Sequence, residues 1–365
     1  MKMTIPASVG TPVTVDMFGW NSSLTDSYQR VAVQAAFDSG QPVNLPTGQT
    51  ILTDGSLVVN YPTTIAGTGS SIIQCQDPNA DVVQIKSNYV TLDRFGMDHG
   101  GFSAGDTGNG VMVGPQAPGV TGAVYMAVLK DLYTTYNHQF GFNITGASNL
   151  KVQGGNICGT NAAMCLNDQC QVDQGDNIFQ PTWLNADPNI GVGFLILCGG
   201  GTYLSGCKFG PAFNHIKMNW TRGGSAGLVV TNCGFEDCTN VSIVLDGTQP
   251  YQRIAIVGNN FGVPNTAVAA LFDNPPWLRN LIICDNVVQI AGGANVPAFD
   301  IGSVEMGLAI GNSIDGGGSA TNGFVLRTGT SNFYVGPNLI RFLEAAGNPI
   351  YDGSGNSNPI FSPQP

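Results

Sequence analysis

The sequence has little charge and few of the segments that mark membrane-spanning or nucleic-acid-binding proteins. Charged residues make up only 10% of the 365 residues, and the net charge is −11. No run of Lys or Arg is present, so a nucleic-acid surface is not expected, because phosphate contacts require clustered cations. No apolar run reaches the length of about 18 residues that a membrane span needs. The first residues also lack the apolar core of a signal peptide, so export by that route is not expected.

The sequence also lacks the spacings of common disulfide and metal frameworks. Its nine cysteines are an odd number at irregular spacing, which does not indicate a set of disulfides. Cys207 and Cys233 are expected to be small apolar residues of the core. None of the three histidines has a partner in a recognisable catalytic motif, so each is expected to be structural or on the surface rather than catalytic. No metal site is predicted from either residue type.

What the sequence does contain is a repeat between about Gly199 and Leu339. One line of it, with a step of 26, is Phe209, Phe235, Phe261 and Val287, and another is Asn260, Asn286, Asn312 and Asn338. A third line, with a step of 27, is Leu245, Phe272, Phe299 and Leu326, followed immediately by Asp246, Asp273, Asp300 and Arg327. A fixed period of roughly 20–50 residues indicates a repeat architecture.

Each repeat unit contains short apolar runs separated by Gly, Asn and Asp, which is a strand pattern. Examples are Leu228–Val230, Ile254–Val257 and Leu281–Ile283. A unit of this size cannot bury its apolar side chains alone and does so by stacking on the next unit. The repeat therefore predicts an all-β chain folded as a single-stranded parallel β-helix, with one coil per repeat.

The N-terminal segment contains the one helix that the sequence predicts, at about residues 27–39. Asp26 and Gln29 have the spacing of a capping box. The expected apolar stripe is Tyr28, Val31, Ala32 and Ala35. Because an uncovered terminal coil is an open sheet edge, this helix is predicted to cap the solenoid.

The same region resembles the opening signature of the pectate-lyase-like right-handed β-helix superfamily. The matching segments are Val13–Gly19, Ala32–Asp38 and Val43–Thr50, similar to the D-F-G-A strand, the T-D-D-T-x-A-I-Q-x-A helix and the V-x-L-P-x-G-x-Y strand of that family. The resemblance implies a right-handed β-helix and extends to bacteriophage tailspikes and bacterial polysaccharide-modifying proteins. The stacked Arg pair of pectate lyases, the Asn-Thr-Asp and Gly-His-Gly of polygalacturonases and the Tyr-Gly-x-Asp-Pro-His-Asp of alginate epimerases are all missing. The resemblance therefore implies no particular reaction.

The predicted organisation is a capping segment at 1–45, a β-helix at 46–350 and a C-terminal tail at 351–365. A polar stretch at about 165–190 breaks the pattern and is predicted to be an insertion on one face. Its carboxylates Asp168, Asp173 and Asp176 leave Ca²⁺ binding open as an alternative, although their spacing is not that of an EF-hand. No other cofactor is expected.

The residues that follow the third line of the repeat are the predicted catalytic site. Side chains alternate along a strand, so Asp246, Asp273 and Asp300 point outward if Leu245, Phe272 and Phe299 point inward. On coils about 4.8 Å apart, neighbouring carboxyls favour one protonated and one ionised group, which glycoside cleavage requires. Asp246, Asp273 and Asp300 are therefore the predicted catalytic residues. The alternative is that they only cap turns.

The substrate contacts are predicted on the same outer line and around the turns between strands, because aromatic rings stack on sugars and charged groups orient hydroxyl or acidic groups. These predicted contacts are Tyr251, Trp277, Arg253, Arg279, Glu305, Glu236, Asp237 and Arg327. An ordinary surface charge ladder is the alternative for Arg253, Arg279 and Glu305.

The leading functional prediction is a tailspike-like protein that binds and cleaves a bacterial capsular or exopolysaccharide as a glycoside hydrolase. Similarity to tailspikes implies a homotrimer in a phage virion or outside the cell. Two alternatives stay open. One is a polysaccharide lyase acting on a uronic-acid polymer, with Ca²⁺ or Arg279 as its charge neutraliser. The other is a non-catalytic glycan-binding or structural spike.

Overall fold

The fold was analysed in a computed structural model, which describes residues 10–101, 103, 105–114, 122–167, 177–198, 201–220, 227–247, 251–263, 272–273, 278–290, 297–354 and 360–361. Over these residues the chain is an all-β parallel β-solenoid with very little helix, which confirms the predicted all-β solenoid. The chain divides into two compact units, Met1–Trp183 and Leu184–Pro365. No described helix is long and apolar enough to cross a membrane.

The strands of the N-terminal unit are short, and every registered pair among them is parallel. They are β1 Val13–Thr14, β2 Val43–Asn44, β3 Thr50–Thr53, β4 Leu57–Val59, β5 Thr64–Ala66, β6 Ile72–Cys75, β7 Val83–Ile85, β8 Thr91–Asp93, β9 Gly96–His99, β10 Val111–Val113, β11 Val124–Tyr125, β12 Val128–Lys130, β13 Tyr133–Thr134, β14 Phe140–Ile144, β15 Ala147–Ser148, β16 Lys151–Gln153, β17 Asn156–Gly159, β18 Ala162–Leu166 and β19 Asn177–Gln180. Strand β20, Trp183–Ala186, includes the point of division.

The strands of the C-terminal unit are longer and are also parallel in every registered pair. They are β21 Val192–Ile196, β22 Gly201–Ser205, β23 Lys208–Phe209, β24 Asn214–Trp220, β25 Gly227–Thr231, β26 Gly234–Phe235, β27 Ile243–Gly247, β28 Tyr251–Val257, β29 Asn260–Val263, β30 Phe272–Asp273, β31 Leu278–Cys284, β32 Val287–Ile290, β33 Phe299–Ile301, β34 Val304–Ile310, β35 Ser313–Leu326, β36 Phe333–Val335, β37 Leu339–Asp352 and β38 Ile360–Phe361.

Helix α1, Asp26–Asp38, follows a 3-10 turn at Val15–Phe18. Its buried apolar residues are Ala32, Val33, Ala36 and Phe37. The predicted stripe was wrong in three of its four positions: Tyr28, Val31 and Ala35 are exposed. The Gln34 amide donates to the carbonyl of Val58 and accepts from its N–H, both at 2.8 Å, and Gln29 accepts from the N–H of Leu52 at 3.1 Å. These amides supply hydrogen-bond partners to backbone groups of β3 and β4.

A buried line of asparagines, the asparagine ladder, runs through the C-terminal unit. Its members are Asn259, Asn286, Asn312 and Asn338. In the first three members, the side-chain Nδ2 donates to Oδ1 of the next member at 2.9–3.0 Å, and that oxygen also accepts the backbone N–H of the preceding member. Buried amides need such partners, because an unsatisfied one costs about 1–3 kcal/mol. The predicted line was wrong at one position, since exposed Asn260 is not a member.

Aromatic rings stack on one another between successive coils of the same unit. Phe235 stacks on Phe209 with ring centroids 4.7 Å apart and on Phe261 at 4.5 Å. Phe261 is in register with Val288 rather than with the predicted Val287, which is exposed. The reason is a coil of 27 residues between Asn259 and Asn286, one more than the next coil. A constant step of 26 from Phe261 therefore reaches Val287, one position short of its partner Val288.

The cysteines, the predicted insertion and the predicted tail lie partly in the described strands. Cys207 and Cys233 are both buried in the core, as predicted. The predicted insertion at 165–190 contains the end of β18 and all of β19, which pairs with β16, so it is not a continuous interruption. Asp168, Asp173 and Asp176 lie outside the described residues. In the predicted tail at 351–365, β37 extends to Asp352, and β38 pairs with β36.

Candidate functional site

The predicted line of aspartates is interrupted in the structure. Asp273 and Asp300 are register partners on β30 and β33, as predicted. Asp246 is not in line with them, because the register partner of Asp273 on β27 is Val244. The predicted step of 27 residues pairs Leu245 with Phe272, but the partner of Phe272 is Ile243, 29 residues earlier. Asp246 therefore lies two positions further along its strand than predicted. The side chain of Asp273 lies outside the described part of the chain.

Asp246 is exposed and lies beside a lysine. Its Oδ2 is 3.4 Å from Nζ of Lys217, and its register partner on β24 is Asn219. Surface ion pairs of this kind contribute about 0–1 kcal/mol. Asp246 is therefore accessible to solvent, but the structure does not bring its strand position next to Asp273 or Asp300.

Asp300 differs from the prediction because its carboxylate is almost completely covered. Its side chain is only 9% exposed, and Arg327 donates from Nε to Oδ1 and from Nη2 to Oδ2. A bidentate guanidinium occupies the directions in which a carboxylate best accepts hydrogen bonds. The predicted outward carboxylate is thus a covered group bound by the predicted substrate contact Arg327.

An open groove lies next to this ion pair. It has a volume of about 410 Å³ and is lined by Val325, Leu326, Arg327, Thr328, Tyr351 and Gly353. Tyr351 is the register partner of Val325, and the residue is 54% exposed. A guanidinium and an exposed aromatic ring in one groove provide hydrogen-bond donors beside a stacking surface. Tyr351 was missed because it comes after the last detected repeat.

The predicted charge line at Arg253, Arg279 and Glu305 is only partly formed. Nε of Arg279 lies 3.5 Å from Oε2 of Glu305. Arg253 is in register with Asn280 instead of Arg279, because the coil beginning at Tyr251 is one residue longer than the next. Arg253, Asn280 and Met306 line a shallow groove of about 450 Å³ on the outer face of β28, β31 and β34.

Tyr251 does not have the position that sequence reasoning gave it. It is fully buried, and its hydroxyl donates to the backbone carbonyls of Met218, at 3.1 Å, and of Asp246. A ring in that position cannot stack on a ligand, so its prediction as a substrate contact was wrong. Its proposed counterpart Trp277 lies outside the described residues.

Glu236 and Asp237 are both exposed, at the turn after β26. Asp237 has a positive φ of 60°, which asparagine and aspartate tolerate better than most residues. The Glu236 carbonyl accepts a hydrogen bond from Nε2 of His215 at 2.7 Å. Their proposed role as substrate contacts stays a prediction.

The histidines are buried and bonded to the backbone, as expected of structural residues. Nε2 of His138 is 3.1 Å from the carbonyl of Met97, and Nδ1 of His138 is 2.7 Å from Nδ1 of His99. Burial lowers the pKa of His138 to about 4, with the charge of His99 acting in the same direction. Burial likewise lowers the pKa of His215 to about 4. Both imidazoles are therefore neutral at pH 7.

A second groove, in the N-terminal unit, was not predicted. It lies on the outer face of β6, β9 and β13 and contains Asp98 and Tyr133. The alternation of buried Met97 and His99 with Asp98 along β9 was the signal that places this carboxylate outside. Among the residues that the structure describes, no three His, Cys, Asp or Glu side chains are grouped so that they could hold a metal ion.

Comparison with known proteins identifies the fold but not a family. No family model matches the chain, and no curated protein matches its sequence. Several solved structures are similar to it over most of its length. The A-module of the mannuronan C-5 epimerase AlgE4 from Azotobacter vinelandii has a TM-score of 0.71 at 16% identity, with 96% of this chain and 99% of that chain covered.

Two further similar structures have lower TM-scores. The catalytic unit of a GH87 α-1,3-glucanase from Streptomyces thermodiastaticus has a TM-score of 0.55 at 15% identity, with 98% and 71% covered. A tailspike of the E. coli bacteriophage HK620, in complex with a pentasaccharide, has a TM-score of 0.56 at 14% identity, with 92% and 66% covered. The chain is thus a right-handed parallel β-helix, as the N-terminal resemblance implied.

Proposed function

We propose that this chain binds a bacterial polysaccharide in the groove at Arg327 and Tyr351. The observation that carries the proposal is the exposed Tyr351 ring in the same groove as the Arg327 guanidinium. A pyranose ring packs on an aromatic face, while the guanidinium donates hydrogen bonds to its hydroxyl or acidic groups. The similar solenoids include a mannuronan epimerase, an α-1,3-glucanase and a tailspike in complex with a pentasaccharide, which supports a saccharide ligand.

Cleavage by hydrolysis is the second part of the proposal. Asp273 and Asp300 are register partners on adjacent strands, and strands in a sheet lie about 4.8 Å apart. That spacing is close to the roughly 5 Å between the two carboxyls of retaining glycosidases. Asp246 lies at a different strand position and is the least supported candidate of the three predicted catalytic residues.

A non-catalytic glycan-binding spike is the alternative that a specific observation favours. Both oxygens of Asp300 are bound by Arg327, which leaves the carboxylate poorly placed to attack or protonate a substrate. The lyase alternative, with Arg279 as charge neutraliser, has less support because Arg279 is already paired with Glu305.

The decisive experiment measures new reducing ends after incubation with capsular and exopolysaccharides. Hydrolysis predicts new reducing ends without absorbance from an unsaturated product, and their loss in Asp273→Asn and Asp300→Asn. A lyase produces that absorbance. Saturable binding without shortening of the polymer identifies the spike. Unchanged activity of both Asn variants removes these carboxylates from the mechanism.

The proposal extends to assembly, location and the N-terminal cap. By analogy with tailspikes, the chain forms a homotrimer in a phage virion or outside the cell, and light scattering of the purified protein tests the trimer.

Helix α1 caps the solenoid, because the side chains of Gln29 and Gln34 bond backbone groups of β3 and β4 that another strand would otherwise pair with.

A further inference from the structure

The groove of the N-terminal unit is a notch between two exposed apolar side chains. Ile72, Gly96 and Tyr133 are register partners on β6, β9 and β13, and Tyr133 is 46% exposed. Gly96 has no side chain, so a space of about 200 Å³ remains between its neighbours. A Cβ on Gly96 would be 3.4 Å from Cγ1 of Ile72 and 4.0 Å from the carbonyl of Tyr133, which are ordinary contact distances. A side chain would therefore fit at this position, and the backbone does not require glycine there.

The polar side of the notch is a carboxylate that three side chains fix in place. Oδ1 of Asp98 accepts from Oγ1 of Thr135 at 2.5 Å and from Nδ2 of Asn137 at 3.1 Å, and Oδ2 accepts from Nε2 of Gln74 at 3.1 Å. A carboxylate offers about four acceptor positions, so one remains, on Oδ2. Because these donors belong to neighbouring coils, the carboxylate has one orientation before any ligand arrives.

Asp98 carries a full negative charge at neutral pH. Partial burial by itself would raise the pKa of the carboxyl, but the hydrogen bonds from Thr135, Asn137 and Gln74 together lower it below its usual value. Among the described residues, no Lys or Arg side chain forms an ion pair with Asp98. The neighbouring imidazole of His138 is neutral at pH 7. The notch therefore presents an anion with no cationic side chain paired to it.

We propose that this notch binds a sugar residue with a free protonated amine, such as glucosamine, with its ring on Tyr133 and its ammonium group on Oδ2 of Asp98. The apolar faces of Ile72 and Tyr133 suit the C–H face of a pyranose ring. The unpaired carboxylate favours a cationic donor over a neutral hydroxyl and repels a uronic acid. This preference is opposite to that expected at Arg327 in the other unit, so the site goes beyond the proposed function and does not depend on it.

Titration calorimetry with three tetrasaccharides tests the proposal: glucosamine, N-acetylglucosamine and galacturonic acid oligomers. The glucosamine tetramer is expected to bind most tightly and to weaken as salt is added, because the contact is ionic. Asp98→Asn and Tyr133→Ala are each expected to weaken it about tenfold, which is about 1.4 kcal/mol. Tyr125→Ala, which removes another exposed tyrosine of the same unit, is the matched control and is expected to leave binding unchanged.

A fourth variant separates ligand binding from folding. Gly96→Val fills the notch but leaves Asp98 and its three donors intact. It is therefore expected to abolish binding while the temperature of thermal unfolding stays the same. Equal or tighter binding of the N-acetylated or acidic tetramer overturns the proposal. So does unchanged affinity in a folded Asp98→Asn or Gly96→Val protein. Reducing-end production in the polysaccharide assay is unaffected by these outcomes, so failure here and failure of the proposed function can be distinguished.

Discussion

Arg327 binds both carboxylate oxygens of Asp300 from a position two residues beyond the register partner of Asp300, which is Val325. The long arginine side chain spans this offset along the strand, so a contact forms that the register alone would not give. The Asp300 side chain is covered, whereas that of Arg327 is mostly exposed. The pair therefore stabilises the coil on one side and presents a guanidinium to the groove on the other.

Removing the guanidinium is expected to destabilise the C-terminal unit. Arg327→Ala leaves the covered carboxylate of Asp300 without its donors, at a cost of about 2 kcal/mol in the free energy of unfolding. Arg327→Lys keeps the charge but not the two parallel hydrogen bonds, so a smaller loss is expected. Urea denaturation of both variants measures this. If adding Asp300→Asn to Arg327→Ala restores no stability, the pair is not coupled as described.

Tyr351 is expected to carry much of the saccharide binding in the proposed groove. Tyr351→Ala removes the stacking surface and should weaken polysaccharide binding about tenfold, while thermal stability changes little because the ring is exposed. Tyr203, which is 45% exposed in the same unit and does not line the groove, provides the control. Similar losses in Tyr203→Ala and Tyr351→Ala would place the ligand elsewhere.

The asparagine ladder is expected to be sensitive to a single substitution. Asn312→Ala removes the acceptor of two hydrogen bonds from Asn286 and the donor to Asn338. The buried groups left behind should cost about 3 kcal/mol. Asn260→Ala, at an exposed position next to the ladder, should change stability by less than about 0.5 kcal/mol. Chemical denaturation of the two variants under identical conditions tests the difference.

Acidification is expected to destabilise the protein through His138 and His215. Their pKa values are about 4 in the folded chain, whereas an unfolded histidine has a pKa near 6.5. Between these values the unfolded state binds more protons, so stability falls as pH decreases from about 6.5 to 4, by up to about 3 kcal/mol for each histidine. Urea midpoints measured across this range check the slope. His215→Phe should make the slope shallower, although it lowers stability at pH 7 by leaving the carbonyl of Glu236 without its donor.

The proposed cap is tested at Gln34. Gln34→Ala removes both hydrogen bonds to Val58 and is expected to cost about 1–2 kcal/mol. Hydrogen exchange at the Val58 amide should accelerate, because its acceptor is the Gln34 side chain. Gln34→Glu retains that acceptor and should protect the amide better than alanine does. Equal exchange rates in the three proteins would show that α1 does not protect this edge.

The sequence by itself determined the solenoid. The spacing of Phe209, Phe235 and Phe261 required stacked coils, since only neighbouring strands bring residues 26 apart into contact. The Asp273–Asp300 relation followed from the same reasoning. A constant spacing predicts the register partners only where successive coils contain the same number of residues.

Only the tertiary structure decided which side chains meet on the surface. One extra residue between Asn259 and Asn286, and two between Ile243 and Phe272, moved Asn260, Val287 and Asp246 out of their predicted lines. A slip of one residue reverses the face that a side chain occupies, which is why Val288 replaces Val287 in the core. The lengths of the turns cause these register shifts, and the hydrophobic periodicity of the sequence does not reveal turn lengths. The covered Asp300, the buried Tyr251 and the notch at Asp98 depend on contacts between coils, which a repeat pattern in one dimension does not specify.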